Sequence, residues 1–175
     1  MTDPWRTVQH VTLRGLLEGP PSYRRLVLGM TVDEEGRREA QAFELLDAAL
    51  DCCAEAGLRA IVDLHIVRSH YFNDRDEPRL FTDPAEEARF AGLWRDLSSH
   101  LETRGNGWVA YELLNEAVAR DPADWNRVAQ TAFSAIRERE SERTIVLGSN
   151  WFNQHHTFQR LAVPDDPHLI LTYHY

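Results

Sequence analysis

The chain has 175 residues, of which 43% are hydrophobic, and a formal net charge of −9. This length and composition suffice for one domain with its own core, and the acidic balance argues against nucleic acid or an anionic membrane surface as a partner. No apolar run approaches the roughly 18 residues of a membrane-spanning helix, and the N-terminal segment lacks the basic-then-apolar order of a secretory signal. A secreted origin stays open, because the chain could have lost its natural start, so the sequence does not define a compartment.

Strand and helix patterns alternate along the chain. Short apolar or β-branched runs predict five strands, at residues 25–30, 58–65, 108–115, 144–149 and 169–175. Between the runs, apolar residues recur at helical spacing in three stripes: Phe43, Leu46, Leu50 and Cys53; Phe90, Leu93, Leu97 and Leu101; and Trp125, Val128, Ala132 and Ile136. The connection 150–168 has room only for a short helix around residues 154–161. This order predicts a parallel sheet covered by helices.

Local signals mark the ends of the helices. Asp83 and Asp121 are each followed by proline, as expected of an N-cap residue and the first helical position. Gly57 and Gly105 stand where a left-handed C-terminal cap would need glycine. The adjacent pair Cys52-Cys53 fits neither a zinc spacing nor a disulfide framework, and we interpret it as part of a helix.

Two architectures fit this order of elements: an open doubly wound sheet and an eightfold (β/α)8 barrel, also called a TIM barrel. Both place functional groups at the C-terminal ends of the strands. Neither GxGxxG nor GxxxxGK[ST] occurs in the chain, which weakens a nucleotide-binding open sheet. We treat residues 1–175 as one domain, in which the segment 1–24 is not assigned.

Polar and aromatic side chains follow four successive predicted strands. The strands end in a histidine, an Asn-Glu pair, an Asn-Trp pair and a final Tyr-His-Tyr run, with the candidate residues His65, Asn115, Glu116, Asn150, Trp151 and His174. Carboxyl, amide, imidazole and indole groups at one rim suit a sugar, which needs stacking faces and many short hydrogen bonds. The predicted ligand is therefore an oligo- or polysaccharide, with no cofactor required.

Three stretches carry a family resemblance: "VAYELLNEA" (109–117), "AIVDLH" (60–65) and "HLILTYHY" (168–175). They resemble glycoside hydrolase family 5, the cellulase family, over roughly residues 38–175. The resemblance implies strands 3 to 6 of a (β/α)8 barrel and cleavage of β-linked glycans such as cellulose, with retention of configuration. The expected fold is thus an incomplete TIM barrel of about five parallel strands.

The same resemblance implies residue roles. Glu116 resembles the general acid/base and Asn115 the amide that contacts the sugar near the scissile bond, while His65 and His174 resemble site histidines. Asn150 and Trp151 are assigned to substrate binding by position alone. Two departures are visible. Ala117 replaces the usual proline, and Val27 replaces the proline after the family's strand 2 arginine, for which Arg25 is the candidate.

The retaining mechanism needs a second carboxylate about 5–5.5 Å from the first. Glu112 shares a strand face with Glu116, but four strand residues separate their backbones by roughly 13 Å. Asp63 lies too deep for the same reason, and Asp165 and Asp166 precede a strand and so belong to the opposite rim. The family's nucleophile is a glutamate on strand 7, so we expect it to be absent from this chain. A barrel usually takes about 250 residues, which independently indicates a fragment.

Three rival functions remain at this stage. A metal site could use His65 with His70, or His155 with His156, although neither pair has a defined ligand spacing. A degenerate barrel could bind carbohydrate without cleaving it, since one carboxylate is missing. An esterase would need a GxSxG elbow, which the chain lacks. The loop 66–83 is polar and aromatic enough either to contact substrate or to be an ordinary solvated connection.

Overall fold

The computed structural model describes residues 23–28, 40–73 and 75–174, and for residues 23–28, 40 and 41 it describes the backbone only. The side chain of Arg25, residue Tyr175 and the segment 1–22 therefore lie outside what the structure describes. Five strands form one parallel sheet in the order β1-β2-β3-β4-β5, namely β1 (Tyr23–Leu28), β2 (Arg59–Leu64), β3 (Val109–Glu112), β4 (Ile145–Gly148) and β5 (Leu169–Thr172). Each strand lies inside or overlaps one of the predicted runs, and the predicted parallel sheet is confirmed.

Helices connect successive strands and cover one face of the sheet. They are α1 (Ala40–Glu55), α2 (Arg79–Thr82), α3 (Pro84–Leu101) and α4 (Pro122–Arg137). After β4 come a left-handed turn at Asn150–Asn153 and a 3-10 helix at His155–Arg160. All twelve residues of the three predicted apolar stripes are buried. On the opposite face of the sheet, a smaller apolar cluster comprises Ile61, Ala110 and Val146, with Ile170 packed against it. None of the helices in the described part of the chain is both long enough and apolar enough to cross a membrane.

Two buried tryptophans fix the C-terminal ends of the central strands against the helices. Trp94 on α3 donates its indole N–H to the carbonyl of Leu113 at 3.1 Å, and Trp125 on α4 donates to the carbonyl of Gly148 at 2.9 Å. Both side chains are fully buried. Their apolar bodies fill the core while their N–H groups satisfy carbonyls just beyond or at the end of a strand. The backbone that carries the polar rim is thereby tied to the core.

The predicted helix caps are confirmed at three of four positions. Asp83 and Asp121 each accept a backbone N–H two residues ahead, at 2.9 Å, and proline occupies the first turn. Gly57 follows α1 with φ 67°, the left-handed geometry of a C-terminal cap. The cap predicted at Gly105 is wrong. Helix α3 ends at Leu101, Glu102 keeps a right-handed conformation, and Gly57 is the only glycine with positive φ among the described residues.

A buried arginine organises the opposite end of the sheet, where β3 and β4 begin; we call this region the base. The Arg143 guanidinium donates to the carbonyls of Val109, Leu101 and Arg104 at 2.7–3.1 Å and to the Glu140 carboxylate at 2.7 Å. The hydroxyls of Tyr111 and Ser98 donate to the other oxygen of Glu140, at 2.9 and 2.7 Å. The base thus joins α3, β3 and the start of β4 in one hydrogen-bonded cluster.

Candidate active site

The C-terminal ends of the strands form a rim that carries most of the predicted site residues. The backbone N–H of Asn115 donates to the carbonyl of Leu64 at 3.1 Å, so the segment after β3 runs beside the end of β2. This bond places Asn115 and Glu116 beside the end of the segment that carries His65. The predicted convergence of the β2 and β3 ends is therefore present in the backbone.

Glu116 lies at the point where the chain turns away from β3. Its φ is 50°, in the left-handed region that residues other than glycine seldom adopt. The side chain is 23% exposed, and its Oε1 lies 2.7 Å from Nδ1 of His174, which follows β5. Two predicted site residues that are 58 positions apart in the sequence thus form one hydrogen-bonded pair.

His65 forms a second pair with a carboxylate. Its Nδ1 lies 3.0 Å from Oδ2 of Asp63, whose side chain is fully buried, while the imidazole is 27% exposed. Since an ionised carboxylate only accepts hydrogen bonds, Nδ1 carries the proton in this pair and Nε2 of a neutral ring is an acceptor. Sequence reasoning treated Asp63 only as a carboxylate at the wrong depth, and it missed this orienting role.

The loop 66–83 reaches the same rim. The ring of Phe72 packs edge-on against His65 with 5.9 Å between ring centroids, and Tyr71 lies against Phe72. Glu77 accepts a hydrogen bond from the backbone N–H of Arg120, which lies in the loop beyond Glu116, at 3.0 Å. The loop is therefore bonded to the segment that follows Glu116, and whether it contacts substrate stays a prediction.

Asn115 offers an unused acceptor next to the acidic residue. Its side chain is buried, and the described residues provide no hydrogen bond to its amide oxygen. Buried amide oxygens in proteins are nearly always paired, so this oxygen is available to a water molecule or to a ligand.

The turn after β4 has an unusual backbone. Trp151, Phe152 and Asn153 have φ values of 55°, 61° and 56°, and none of them is glycine. Trp151 is about half exposed, as a stacking aromatic must be, and its indole contacts the ring of Phe152. Nothing in the sequence signals this turn, because left-handed turns are normally announced by glycine.

The structure gives Asn150 a different task from the predicted sugar contact. Its amide oxygen accepts the backbone N–H of Ala119 at 2.8 Å, and its amide nitrogen donates to the Ala119 carbonyl at 2.8 Å. The side chain is buried. Both polar atoms are therefore occupied by the loop that follows Glu116.

The candidate metal pairs are separated or engaged elsewhere. His70 is buried edge-on against Phe81, whereas His65 pairs with Asp63. His155 packs its ring against that of His156, with 5.7 Å between centroids. Over residues 40–73 and 75–174, no three His, Cys, Asp or Glu side chains converge as metal ligands.

Burial lowers the pKa of His70 from 6.5 to about 4. Its ring nitrogens have no hydrogen-bond partner among the described residues, and its backbone pairs with Val67 in a tight loop. Desolvation disfavours the imidazolium, so His70 is neutral at pH 7. The rim thus contains one histidine that is a core residue and two that face a carboxylate.

Comparisons with known proteins agree on one family. The family model described as Cellulase (glycosyl hydrolase family 5) matches residues 22–175. Endoglucanase C of Acetivibrio thermocellus is 31% identical over 144 residues, which cover 82% of this chain and 41% of that protein. The chain therefore spans about two fifths of the length of this curated relative.

Solved structures show the same fold. Cellulose synthase subunit Z from Clostridioides difficile superposes with a TM-score of 0.76 at 19% identity, covering 88% of this chain and 49% of that one. Thermotoga maritima Cel5A in complex with cellobiose gives 0.74 at 22% identity, with 88% and 49% covered. The expected architecture, part of a TIM barrel, is confirmed.

Proposed function

Because this chain belongs to glycosyl hydrolase family 5, the cellulase family, we propose that its rim acts in hydrolysing the β-glycosidic bonds of an oligo- or polysaccharide such as cellulose or another β-glucan. Glu116 is the general acid/base of the proposed reaction. The observation that carries this assignment is the partly exposed Glu116 carboxyl at the rim, held by His174 at 2.7 Å. The relative named as an endoglucanase supports the substrate class.

In the proposed reaction the two carboxyl oxygens of Glu116 have separate tasks. Oε1 is held by Nδ1 of His174, which leaves Oε2 for the glycosidic oxygen. In the first step the nucleophilic carboxylate attacks the anomeric carbon and forms a glycosyl ester as the bond to the leaving oxygen breaks, and the Glu116 carboxyl protonates that oxygen. In the second step water attacks the same carbon and displaces the nucleophile, while the Glu116 carboxylate takes the proton of the water. Two such steps retain the configuration of the sugar.

Three neighbouring groups hold the sugar in this proposal. The Asn115 amide oxygen, which has no described partner, accepts a sugar hydroxyl. The Nε2 atom of His65 accepts another, because Asp63 fixes the proton on Nδ1. Trp151 supplies an exposed aromatic face against which a flat sugar ring stacks.

The nucleophilic carboxylate is not assigned to a described residue. Asp63 and Glu112 are both buried, and Asp63 is engaged by His65. As the family resemblance implies, we expect the second carboxylate on strand 7 of the barrel, beyond the strands that this chain matches, and we expect the isolated chain to be inactive. This observation also favours the second candidate function, carbohydrate binding without cleavage by the chain alone.

The test compares the chain as given with a version extended by the remaining strands of a barrel. Each is assayed on β-glucan and on aryl β-cellobiosides, with and without Glu116→Gln. The extended protein should hydrolyse both substrates, and Glu116→Gln should lower its kcat/KM on β-glucan by about 10²–10⁴-fold. With a 2,4-dinitrophenyl leaving group, which needs no proton, the burst phase should be far less affected.

Glu142→Gln is the matched control, since Glu142 is exposed and lies before β4 on the base side of the sheet. It should leave kcat/KM within about twofold of the parent, as surface substitutions usually do. Unchanged hydrolysis in the extended Glu116→Gln variant would refute the acid/base assignment. Hydrolysis by the short chain that needs Glu116 would refute the expected absence of the nucleophile. Binding of cello-oligosaccharides without hydrolysis by the extended protein would select the binding alternative.

A further inference from the structure

We propose that the turn Asn150–Asn153 is a positioning element for the Glu116–His174 pair, and that Asn150 is its principal positioning residue. The inference rests on the proposed role of Glu116 and adds a group that touches neither substrate nor the reacting atoms. It follows from where the hydrogen bonds of this short turn go.

One side of the turn holds the segment that carries Glu116. The Asn150 amide makes two bonds of 2.8 Å to the backbone of Ala119. The backbone N–H of Phe152 donates to the carbonyl of Ala117 at 3.2 Å. Because Ala117 follows Glu116 directly, these three bonds fix the segment immediately after the carboxylate.

The other side of the turn holds the segment that carries His174. The carbonyl of Asn153 accepts the backbone N–H of His174 at 2.9 Å, and Gln154 forms a parallel β-bridge with His174. The ends of β3 and β5 are not neighbours in the sheet, since β4 lies between them. The turn after β4 is thus the backbone connection between the two members of the pair.

Further hydrogen bonds stabilise the turn itself. The hydroxyl of Thr157 lies 2.7 Å from both the Ser149 hydroxyl and the Asn150 carbonyl, and the Ser149 hydroxyl donates to the carbonyl of Gln154 at 3.0 Å. Three consecutive left-handed residues cost roughly 1–2 kcal/mol each. Such a conformation persists only where the surrounding bonds over-determine it, which is typical of functional sites.

The consequence is a geometric dependence of Glu116 on Asn150. Without the Asn150 amide, the Ala117–Ala119 backbone loses two of the three bonds described above, and the left-handed Glu116 is free to relax. The Glu116 carboxylate then spends less time on Nδ1 of His174. The buried Asn150 side chain, which contacts neither Glu116 nor His174, would therefore control how often these two side chains form their hydrogen bond.

The experiment reads the contact directly by ¹⁵N NMR of the His174 imidazole, in the 175-residue chain. In the parent, Glu116→Gln replaces the charged acceptor of Nδ1–H and should shift the His174 ring-nitrogen signals. In an Asn150→Ala background the same Glu116→Gln change should produce less than half of that shift. Asn150→Asp, which keeps the acceptor but loses the donor to Ala119, should give an intermediate response and serves if the alanine variant fails to fold.

Asn126→Ala is the matched control. The Asn126 amide also clamps a backbone segment, by bonds to the carbonyl of Arg160 and the N–H of Ala162 at 2.9 and 3.0 Å, and not the segment that follows Glu116. The full Glu116→Gln response should survive in this background. An equally full response in folded Asn150 variants, or no response in the parent, would overturn the proposal.

A kinetic measurement separates this inference from the proposed function. In the extended protein, Asn150→Ala should lower kcat on β-glucan at least tenfold and change KM less than threefold, since no proposed sugar-binding side chain is removed. Loss of kcat without the spectral change would also count against the proposal. If the extended protein hydrolyses nothing, the proposed function fails, while the NMR result still decides whether Asn150 couples Glu116 to His174.

Discussion

The two ends of strand β3 treat buried polar groups in opposite ways. At the base, the fully buried Arg143 directs its donors at three backbone carbonyls and at Glu140, whose carboxylate accepts two hydroxyls as well. At the rim, the amide oxygen of Asn115 has no hydrogen-bond partner among the described residues, and the Glu116 carboxyl is held by the imidazole of His174. The buried polar groups at the base are paired within the protein, whereas the rim keeps an acceptor that a further group could use.

The backbone shows the same contrast. All of the non-glycine residues with positive φ in the described chain lie at the rim, at Glu116 and at 151–153. A satisfied network with ordinary backbone geometry stabilises a fold. Unpaired acceptors and strained residues cost stability, and natural proteins keep them mainly at functional sites. The contrast therefore supports the rim as the proposed site independently of any relative.

The largest effect should come from breaking the base. Arg143→Ala leaves Glu140 buried without its cation and removes a donor from each of three carbonyls, so the free energy of unfolding should fall by about 3–5 kcal/mol. Arg139→Ala, which breaks an exposed pair with Glu102, should cost less than about 1 kcal/mol. Urea denaturation measures both. A loss below about 1 kcal/mol for Arg143→Ala would show that the base is not the stabilising end.

The second-largest expected effect is a pH dependence of the free energy of unfolding, which arises from His70 on the rim side of the sheet. The pKa of His70 is about 4 in the folded chain against 6.5 as the ordinary value, so the unfolded chain binds the extra proton between these limits. Stability is then fully present above pH 6.5 and falls as the pH drops towards 4, by up to about 3 kcal/mol. His70→Leu should abolish this part of the pH dependence.

His156→Leu is the control for that experiment, because His156 is exposed. Urea midpoints recorded every half pH unit should fall along one curve for the parent and the control, and along a flatter one for His70→Leu. An equally steep fall in the His70→Leu protein would assign the acid sensitivity to other groups.

The smallest expected changes in the free energy of unfolding come from alanine substitutions at two glycines. A Cβ on Gly148 would lie 2.2 Å from Oδ1 of Asn153, whereas a Cβ on Gly92 in α3 would meet nothing within 4 Å. Gly148→Ala should therefore cost about 1–3 kcal/mol by overpacking the strained turn. Gly92→Ala should add about 0.5–1 kcal/mol, as alanine does in a helix. Thermal unfolding of the two variants gives the comparison, and equal midpoints would mean that the turn yields without strain.

The fold was predictable because its signals are local. Apolar spacing fixed the helical stripes, and the Asp-Pro pairs fixed the starts of α3 and α4. The cap predicted at Gly105 was wrong because helix α3 ends earlier, at Leu101. There the guanidinium of Arg143, from a distant segment, donates hydrogen bonds to the carbonyls of Leu101 and Arg104. A partner 42 residues away leaves no local mark in the sequence.

The candidate site was predictable only as a set of residues, since strand ends meet at one edge of a parallel sheet. The pairing of Glu116 with His174, of His65 with Asp63 and of Asn150 with Ala119 depends on backbone turns that the sequence does not announce. Asn150 illustrates the limit. Its chemistry suits a sugar contact and a backbone clamp equally well, and only the neighbouring loop decides between them.

The residues of the left-handed turn after β4 differ in how strongly a substitution would disturb the neighbouring segments. Asn150, Phe152 and Asn153 contribute hydrogen bonds that hold neighbouring segments, whereas Trp151 contributes to the turn only through its carbonyl, which accepts the N–H of Gln154. The indole faces outward and touches only Phe152 among the ring contacts of the described residues. A substitution at position 151 would therefore change the exposed ring while the hydrogen bonds that hold the Glu116 and His174 segments stay in place.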